Sequence, residues 1–426
     1  MSERGIGSEV NWAGNITYGA SRLLQPERTE DVQQIVREGG KLKVLGARHS
    51  FSDVADSRGT LLSLDRMPQE VTVDAGRRSA TVSAALRYGQ LCRALDAEGL
   101  AVHNTASLPH ISVAGACSTA THGSGDGNGN LATAVSGIEL VLADGSLVTL
   151  TREADGAIFP GAVVALGGLG VVTRVTLDVA PAFAMRQYVY EWLPLAELEA
   201  HFDEVTASAY SVSLFTDWQT ERINQVWLKA LDSAGPAPAG LFGAVPATTK
   251  LHPLVAISPE ACTPQLGAPG PWYDRLPHFR IEFTPSSGEE LQSEYFVPRR
   301  HAVAALRAVY GLRRELAPLL QIAEVRTIAA DDLWLSPCYG QACVAFHFTW
   351  IKDWPGVGRL LPRVEDALAP FDARPHWGKL FTVSPQRLGA LYPRLPDFRD
   401  LLRTYDPQGT FRNPYLERTV FGANPD

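Results

Sequence analysis

Two groups of side chains in this 426-residue chain have the types and spacing that chemistry needs. The first lies in Ala323-Glu-Val-Arg-Thr-Ile328 and Cys343-Val-Ala-Phe-His-Phe-Thr-Trp350. Extended chain turns successive side chains to opposite faces, so Glu324 and Arg326 share a face, as do Ala345, His347 and Thr349. Val344, Phe346, Phe348 and Trp350 make the apolar face of their strand, suited to a core. Small and polar residues facing one way read as a pocket floor. Taken alone, Glu324 and Arg326 read equally well as a surface ion pair. Arg280 and Glu282 alternate in the same manner but lack pocket-like neighbours, and read as a solvated face.

The second group sits in loops of small residues. Val44-Leu-Gly-Ala-Arg-His-Ser-Phe51 and Ser107-Leu-Pro-His-Ile-Ser-Val-Ala-Gly-Ala-Cys-Ser-Thr-Ala-Thr-His-Gly-Ser-Gly125 each carry a histidine, His49 and His122, and Leu166-Gly-Gly-Leu-Gly-Val-Val-Thr173 follows. Backbone amides in such loops can approach a diphosphate because no bulky side chain intervenes. Dinucleotide-fold and P-loop signatures are absent, as are His-Glu-x-x-His and paired Cys-x-x-Cys. No metal is therefore expected; the competing metal reading would be a zinc hydrolase built on His103, His110 and His122. A non-catalytic carbohydrate-binding protein is a third class.

The elements that must hold these residues follow from periodicity. Val32, Ile35 and Val36 make a helix from about Thr29, Tyr88 to Glu98 another, and Lys41–Leu45 and Leu61–Leu64 short strands. Hairpins are expected at Val71-Thr-Val-Asp with Ala80-Thr-Val-Ser, and around Asp144-Gly145. Beyond Pro181, period two recurs in Ser211–Trp218, Gln225–Ala230, His278–Thr284, Ser293–Val297, Ala323–Ile328 and Ala342–Trp350, which predicts a mostly antiparallel sheet. Val303–Leu316 and Leu360–Leu368 are amphipathic helices, and Asp232–Pro271 is Pro- and Gly-rich irregular covering. The fold class is α+β, with a cofactor domain over 1–180, a substrate domain of sheet flanked by helices over 181–370, and a segment over 371–426 that returns to the first. Acidic residues number 46 against 38 Lys and Arg, giving a net charge of −8 and no basic block, which argues against nucleic acid or anionic membrane. With no apolar signal segment and five scattered cysteines, a cytoplasmic, monomeric enzyme is the expectation.

The order and spacing of the loops resemble the FAD-binding (PCMH-type) domain of the vanillyl-alcohol oxidase superfamily. Its alditol oxidase branch is similar in Asn11-Trp-Ala-Gly-Asn-Ile-Thr-Tyr18, Ser107–Gly115, Tyr210–Trp218, Phe283-Thr-Pro-Ser-Ser-Gly288, Ala330–Pro337, His347–Trp350 and Arg374-Pro-His-Trp-Gly-Lys379. That resemblance implies FAD bonded covalently through His49, with Val44, Leu45, Gly46, Ala47, Arg48, Ser50, Ser107, Ser112, Gly115, Ala116, Cys117, Ser118, His122, Val172 and Lys379 around it. Arg48 departs from the glycine of many relatives, facing either the diphosphate or solvent. Cys117 reads as a small packed thiol, and His122 as either a cofactor contact or a loop hydrogen bond.

The implied reaction oxidises the terminal hydroxyl of a polyol such as xylitol or sorbitol, with oxygen reduced to hydrogen peroxide. A lactone or sugar oxidoreductase using another acceptor is the alternative. Ser107, Glu324, Arg326, His347, Thr349 and Lys379 supply the donors and acceptors a polyol needs. Among them His347 is the general base or a hydroxyl ligand, and Arg326 and Lys379 stabilise negative charge on the reduced cofactor. Asn413 and Tyr415 either touch the ring or pack beside it.

Overall fold

The computed structural model describes residues 2–5, 9–282 and 288–423. A four-stranded sheet runs in the order Ser2–Gly5, Arg22–Gln25, Thr60–Leu62, Leu42–Val44, its first pairing antiparallel and the other two parallel. The helix Thr29–Arg37 turns Val32, Ile35 and Val36 inward and buries them. Beside it lies an antiparallel five-stranded sheet, in the order Val71–Asp74, Ser79–Ser83, Val171–Asp178, Val135–Val141, Leu147–Thr151. Both expected hairpins are present.

A nine-stranded antiparallel sheet makes up the second half. At its centre Leu320–Ile328, Cys343–Ile351 and Glu290–Pro298 lie side by side, and Ser211–Thr216 and Arg222–Leu231 extend it. One face packs Val325, Val344, Phe346, Phe348 and Trp350 against the helices Ala302–Gly311 and Trp354–Leu368, through Leu306, Val309, Val357, Leu361 and Val364. The apolar side of the alternation is therefore spent on helix packing. The opposite face is free to carry polar groups.

Three expectations need correction. His278 to Glu282 form no strand; Phe279 makes only an isolated bridge to Cys262, and the amides of His278 and Phe279 both donate to Ser107 O at 3.1 and 3.2 Å. The alternation there serves a loop that half-buries Phe279 and Ile281 and exposes Arg280 and Glu282. Residues 283–287 of the quoted Phe283–Gly288 motif lie outside the described residues. Inside the second loop, Val113–Ser118 is a short helix, which a run of small residues without apolar periodicity does not announce. Finally, Val303–Leu316 divides into Ala302–Gly311 and Arg313–Leu316.

After Arg374–Pro375, which pairs with Tyr295 and Phe296 at the sheet edge, the chain adds the helices Pro385–Leu391 and Leu395–Tyr405. Their Leu388, Leu391, Phe398, Leu401 and Leu402 join the core of the first half.

Candidate active site

A cavity of about 600 Å³ lies between the loops of the first half and the free face of the large sheet. Its loop end is lined by Val44 through Ser50, Ser107, Ser112, Gly115, Ala116, Ser118 and Val172. Leu45 N donates to Leu62 O and Phe51 N to Gly378 O, both at 2.8 Å; between them, no acceptor occurs among the described residues for the amides of Gly46 to Ser50. A Cβ on Gly46 would meet Ser112 Oγ at 2.7 Å, so the first two loops touch because this residue is glycine. Consecutive unspent amides in a small-residue turn fit an anionic diphosphate.

Arg48 adopts the left-handed conformation, φ 64°, which explains why a glycine would be at ease there. Its guanidinium is paired with Glu9, neither turned wholly to solvent nor free to serve the diphosphate. His49 lies stacked on Trp12, ring centroids 5.2 Å apart. Asn11 Nδ2 holds Ser50 O, Asn15 Nδ2 holds Phe51 O and Trp12 N donates to Arg48 O, so the Asn11–Tyr18 motif braces the histidine loop. Burial, followed by the charges of His110 and Arg87, pushes the His49 pKa down to about 4. At neutral pH the ring therefore carries a free lone pair.

The sheet end is polar and buried. In register across the three central strands stand Glu294, His347 and Glu324 as direct neighbours. Gln292 and Thr349 pair one step along, and Arg326 lies opposite Ala345 on the other side. Arg326 Nε stands 3.5 Å from Glu324 Oε1 with both side chains 6% exposed, so the pair is not a surface ion pair. Arg326 Nη1 reaches Ser107 Oγ at 3.4 Å, joining the sheet to the second loop. Lys379 Nζ lies 2.7 Å from both Glu294 Oε2 and His347 Nδ1. Its turn is fastened to the first loop by the Phe51–Gly378 bond and by Ser52 Oγ donating to Trp377 O at 2.8 Å. All six substrate candidates and His49 thus line one cavity.

These bonds assign the protons. A lysine ammonium only donates, so His347 Nδ1 accepts and Nε2–H donates to Thr349 Oγ1 at 3.1 Å. The Thr349 hydroxyl proton is left for a ligand. Burial, then the Lys379 charge, pushes His347 down to about 4 and keeps it neutral. Burial works to raise Glu324 and Glu294, but their cationic and imidazole neighbours outweigh it and hold both well below the usual carboxylate range. Arg326 stands first among those neighbours for Glu324, and Lys379 for Glu294. Lys379 itself is lowered, chiefly by burial.

Several residues of the site were not among the candidates. Glu294 takes Arg326 Nη2 on Oε1 at 2.8 Å and has His122 Nε2 at 3.2 Å. His278 Nε2 bonds Glu324 Oε1 at 2.8 Å, and His376 lines the same wall. Lys43 is buried, donates to Leu166 O and Gly167 O at 2.8 and 3.0 Å, and is lowered by burial to about 7. The alternation of Glu290–Pro298 was a signal for Glu294, although only its neighbours show that the position is buried.

Other candidates stand apart. Cys117 does not line the cavity; its thiol is buried in the core 3.7 Å from Tyr88 Oη. Asn413 Nδ2 caps Asp53 O, Val54 O and Asp56 O, and Tyr415 Oη donates to Trp377 O at 2.7 Å, so both brace the wall from outside. His122 both touches the cavity and bonds its own loop, at Gly123 O. Among the described residues, the one His/Cys/Asp/Glu cluster with metal-ligand spacing is His122, Glu294 and His376, so His103, His110 and His122 do not converge as a zinc site. Arg280 and Glu282 lie outside the cavity lining, and Glu282 pairs with Arg93 at the exposed surface.

Known proteins resemble the chain at three levels. A family model described as FAD binding domain matches residues 20–151, and another described as D-arabinono-1,4-lactone oxidase matches residues 288–419. An alditol oxidase from Streptomyces sp. (strain IKD472 / FERM P-14339) is 51% identical over 97% of this chain and 99% of its own length. The chain belongs to the alditol oxidase family. An L-gulono-1,4-lactone dehydrogenase of Mycobacterium tuberculosis is more distant, 26% identical over 96% of this chain and 98% of its own. A cholesterol oxidase from B. sterolicum superposes with a TM-score of 0.79 at 16% identity, covering 98% of this chain and 97% of that one, which shows the shared fold. Membership in the alditol oxidase family agrees with the α+β fold and makes the chain an FAD-dependent oxidoreductase.

Proposed function

We propose that the chain oxidises the terminal hydroxyl of an acyclic polyol, xylitol or sorbitol, to the aldose, and that oxygen is reduced to hydrogen peroxide. The observation that carries this reading is the single cavity joining the His49 loop to a floor of Ser107, Glu324, Arg326, His347, Thr349 and Lys379. Kinship with an alditol oxidase supports it. A polyol offers a hydroxyl on every carbon, each both donor and acceptor. An apolar slot would leave those groups unpaired, whereas Glu324 accepts, Arg326 and Lys379 donate, and Ser107 and Thr349 do either.

FAD held by the Val44–Ser50 and Ser107–Ser118 loops would take the hydride and pass the electrons to oxygen. The neutral, half-buried His49 ring has the free nitrogen that a covalent attachment needs. His347 has both ring nitrogens engaged, so its role is to orient Thr349 and Lys379 around the reacting hydroxyl. Arg326 and Lys379 keep positive charge on the floor and oppose the negative charge that hydride transfer creates.

A lactone oxidoreductase is the second reading, favoured by the lactone-oxidase family model over residues 288–419. Peroxide release and anaerobic bleaching of the flavin, measured with xylitol, sorbitol and an aldonolactone side by side, separate the two. Bleaching by the polyols with peroxide in air is the expected result; bleaching by the lactone alone would reject the polyol reading.

A further inference from the structure

Glu294 is the most enclosed charge in the cavity wall, with a side chain 0% exposed, and each of its oxygens receives one cation. Arg326 Nη2 donates to Oε1 at 2.8 Å and Lys379 Nζ to Oε2 at 2.7 Å. Two cations that repel each other are thereby brought side by side on the floor. The strand Glu290–Pro298 sets Glu294 directly opposite His347, and the contacts to Arg326, Lys379 and His122 hold its carboxylate there.

We propose that Glu294 is the positioning residue that holds Arg326 and Lys379 in place as a pair of cations, and that its charge, rather than its size, is what the site requires. The inference rests on the polyol-oxidase reading and deepens it. A carboxylate accepts at both oxygens, matching two groups that only donate. An amide of the same shape accepts at one end and donates at the other, so one cation would face an N–H.

The consequence falls on Lys379, because Arg326 does not lose its proton in the working range. Every element around Glu294 contributes to the balance. His347 comes from the neighbouring strand and Glu324 and Arg326 from the strand beyond it, while His122 comes from the second loop and His376 and Lys379 from the 376–379 turn. Burial and Arg326 both drive the proton off Lys379; Glu294 is the larger opposing influence and Glu324 adds to it. Without that opposition, Lys379 becomes neutral at lower pH and its share of charge stabilisation is lost as pH rises.

The test is stopped-flow bleaching of the bound flavin by xylitol under argon, followed from neutral into alkaline pH for the wild type, Glu294→Gln, Glu294→Asp and Lys379→Arg. In Glu294→Gln the bleaching rate should fall about tenfold or more, and its alkaline limb should move to lower pH. Glu294→Asp keeps the charge, so it should keep the wild-type limb even with a slower rate. Lys379→Arg cannot lose its proton and should show no alkaline limb.

Wild-type rate and pH profile in Glu294→Gln would overturn the proposal. So would a shifted limb in Glu294→Asp, or a limb that persists in Lys379→Arg, and these two variants decide the matter if Glu294→Gln fails to fold. A wild-type enzyme that no polyol bleaches removes both the reading and the inference; a bleached wild type with indifferent variants removes the inference alone.

Discussion

His49 is neutral at working pH because of where it sits: an ordinary imidazole titrates near 6.5, and burial beside His110 and Arg87 brings this one to about 4. His49→Ala should leave a yellow cofactor that acid precipitation releases from the protein, whereas the wild-type pellet stays yellow. Retention of flavin by the variant pellet would place the attachment elsewhere. Thr349 accepts from His347 and keeps its own proton for a ligand. Thr349→Val should raise the KM for xylitol by about tenfold, the cost of one lost hydrogen bond of about 1–1.5 kcal/mol, with little change in flavin content. An unchanged KM would remove Thr349 from substrate binding. Most of these residues could be read by alternation, which separates Ala345, His347 and Thr349 from the apolar face. Alternation put Glu294 on a face but could not show it buried, because in Glu-Leu-Gln-Ser-Glu-Tyr a glutamate on a strand looks like a solvated position until the rest of the chain packs over that face.

At the scale of elements, the second loop is held by close backbone approach. A Cβ on Gly123 would meet Thr105 O at 2.4 Å and Asn104 Oδ1 at 2.6 Å. Backbone cannot rotate aside as a side chain can. Gly123→Ala should therefore destabilise by about 1–3 kcal/mol and lower flavin content on purification, checked by the unfolding midpoint and the ratio of flavin to protein absorbance. Full stability and full flavin would show that the loop has slack. The hairpins and central strands were legible because each has one face in a core and one outside it. His278–Glu282 misled for the same reason: Phe279 and Ile281 are half-buried while Arg280 and Glu282 are exposed, and a two-sided environment produces period two whether or not a ladder forms.

For the whole molecule, three histidines withdrawn from solvent set a dependence on pH. His49, His278 and His347 are each brought down to about 4, with burial the leading cause. As pH falls from about 6.5, the unfolded chain binds these protons before the folded one does, so stability declines toward pH 4. Glu294 and Glu324, lowered by their cationic partners, act in the same direction: their contribution is present above the ordinary carboxylate pKa and is lost on further acidification. Unfolding temperatures should fall steadily from about pH 6.5 to about pH 4; a flat profile would mean that these groups are not buried in solution. The sequence by itself determined the antiparallel sheet, the small-residue loops and the polar faces of two strands, because periodicity and the lack of side chains are local properties. Only the tertiary structure decided that Glu294, His278 and His376 complete the floor, that Arg48 pairs with Glu9, and that Cys117, Asn413 and Tyr415 stand outside the cavity. Burial and charge pairing depend on what the rest of the chain brings alongside a residue, and one strand's pattern carries no record of its neighbours.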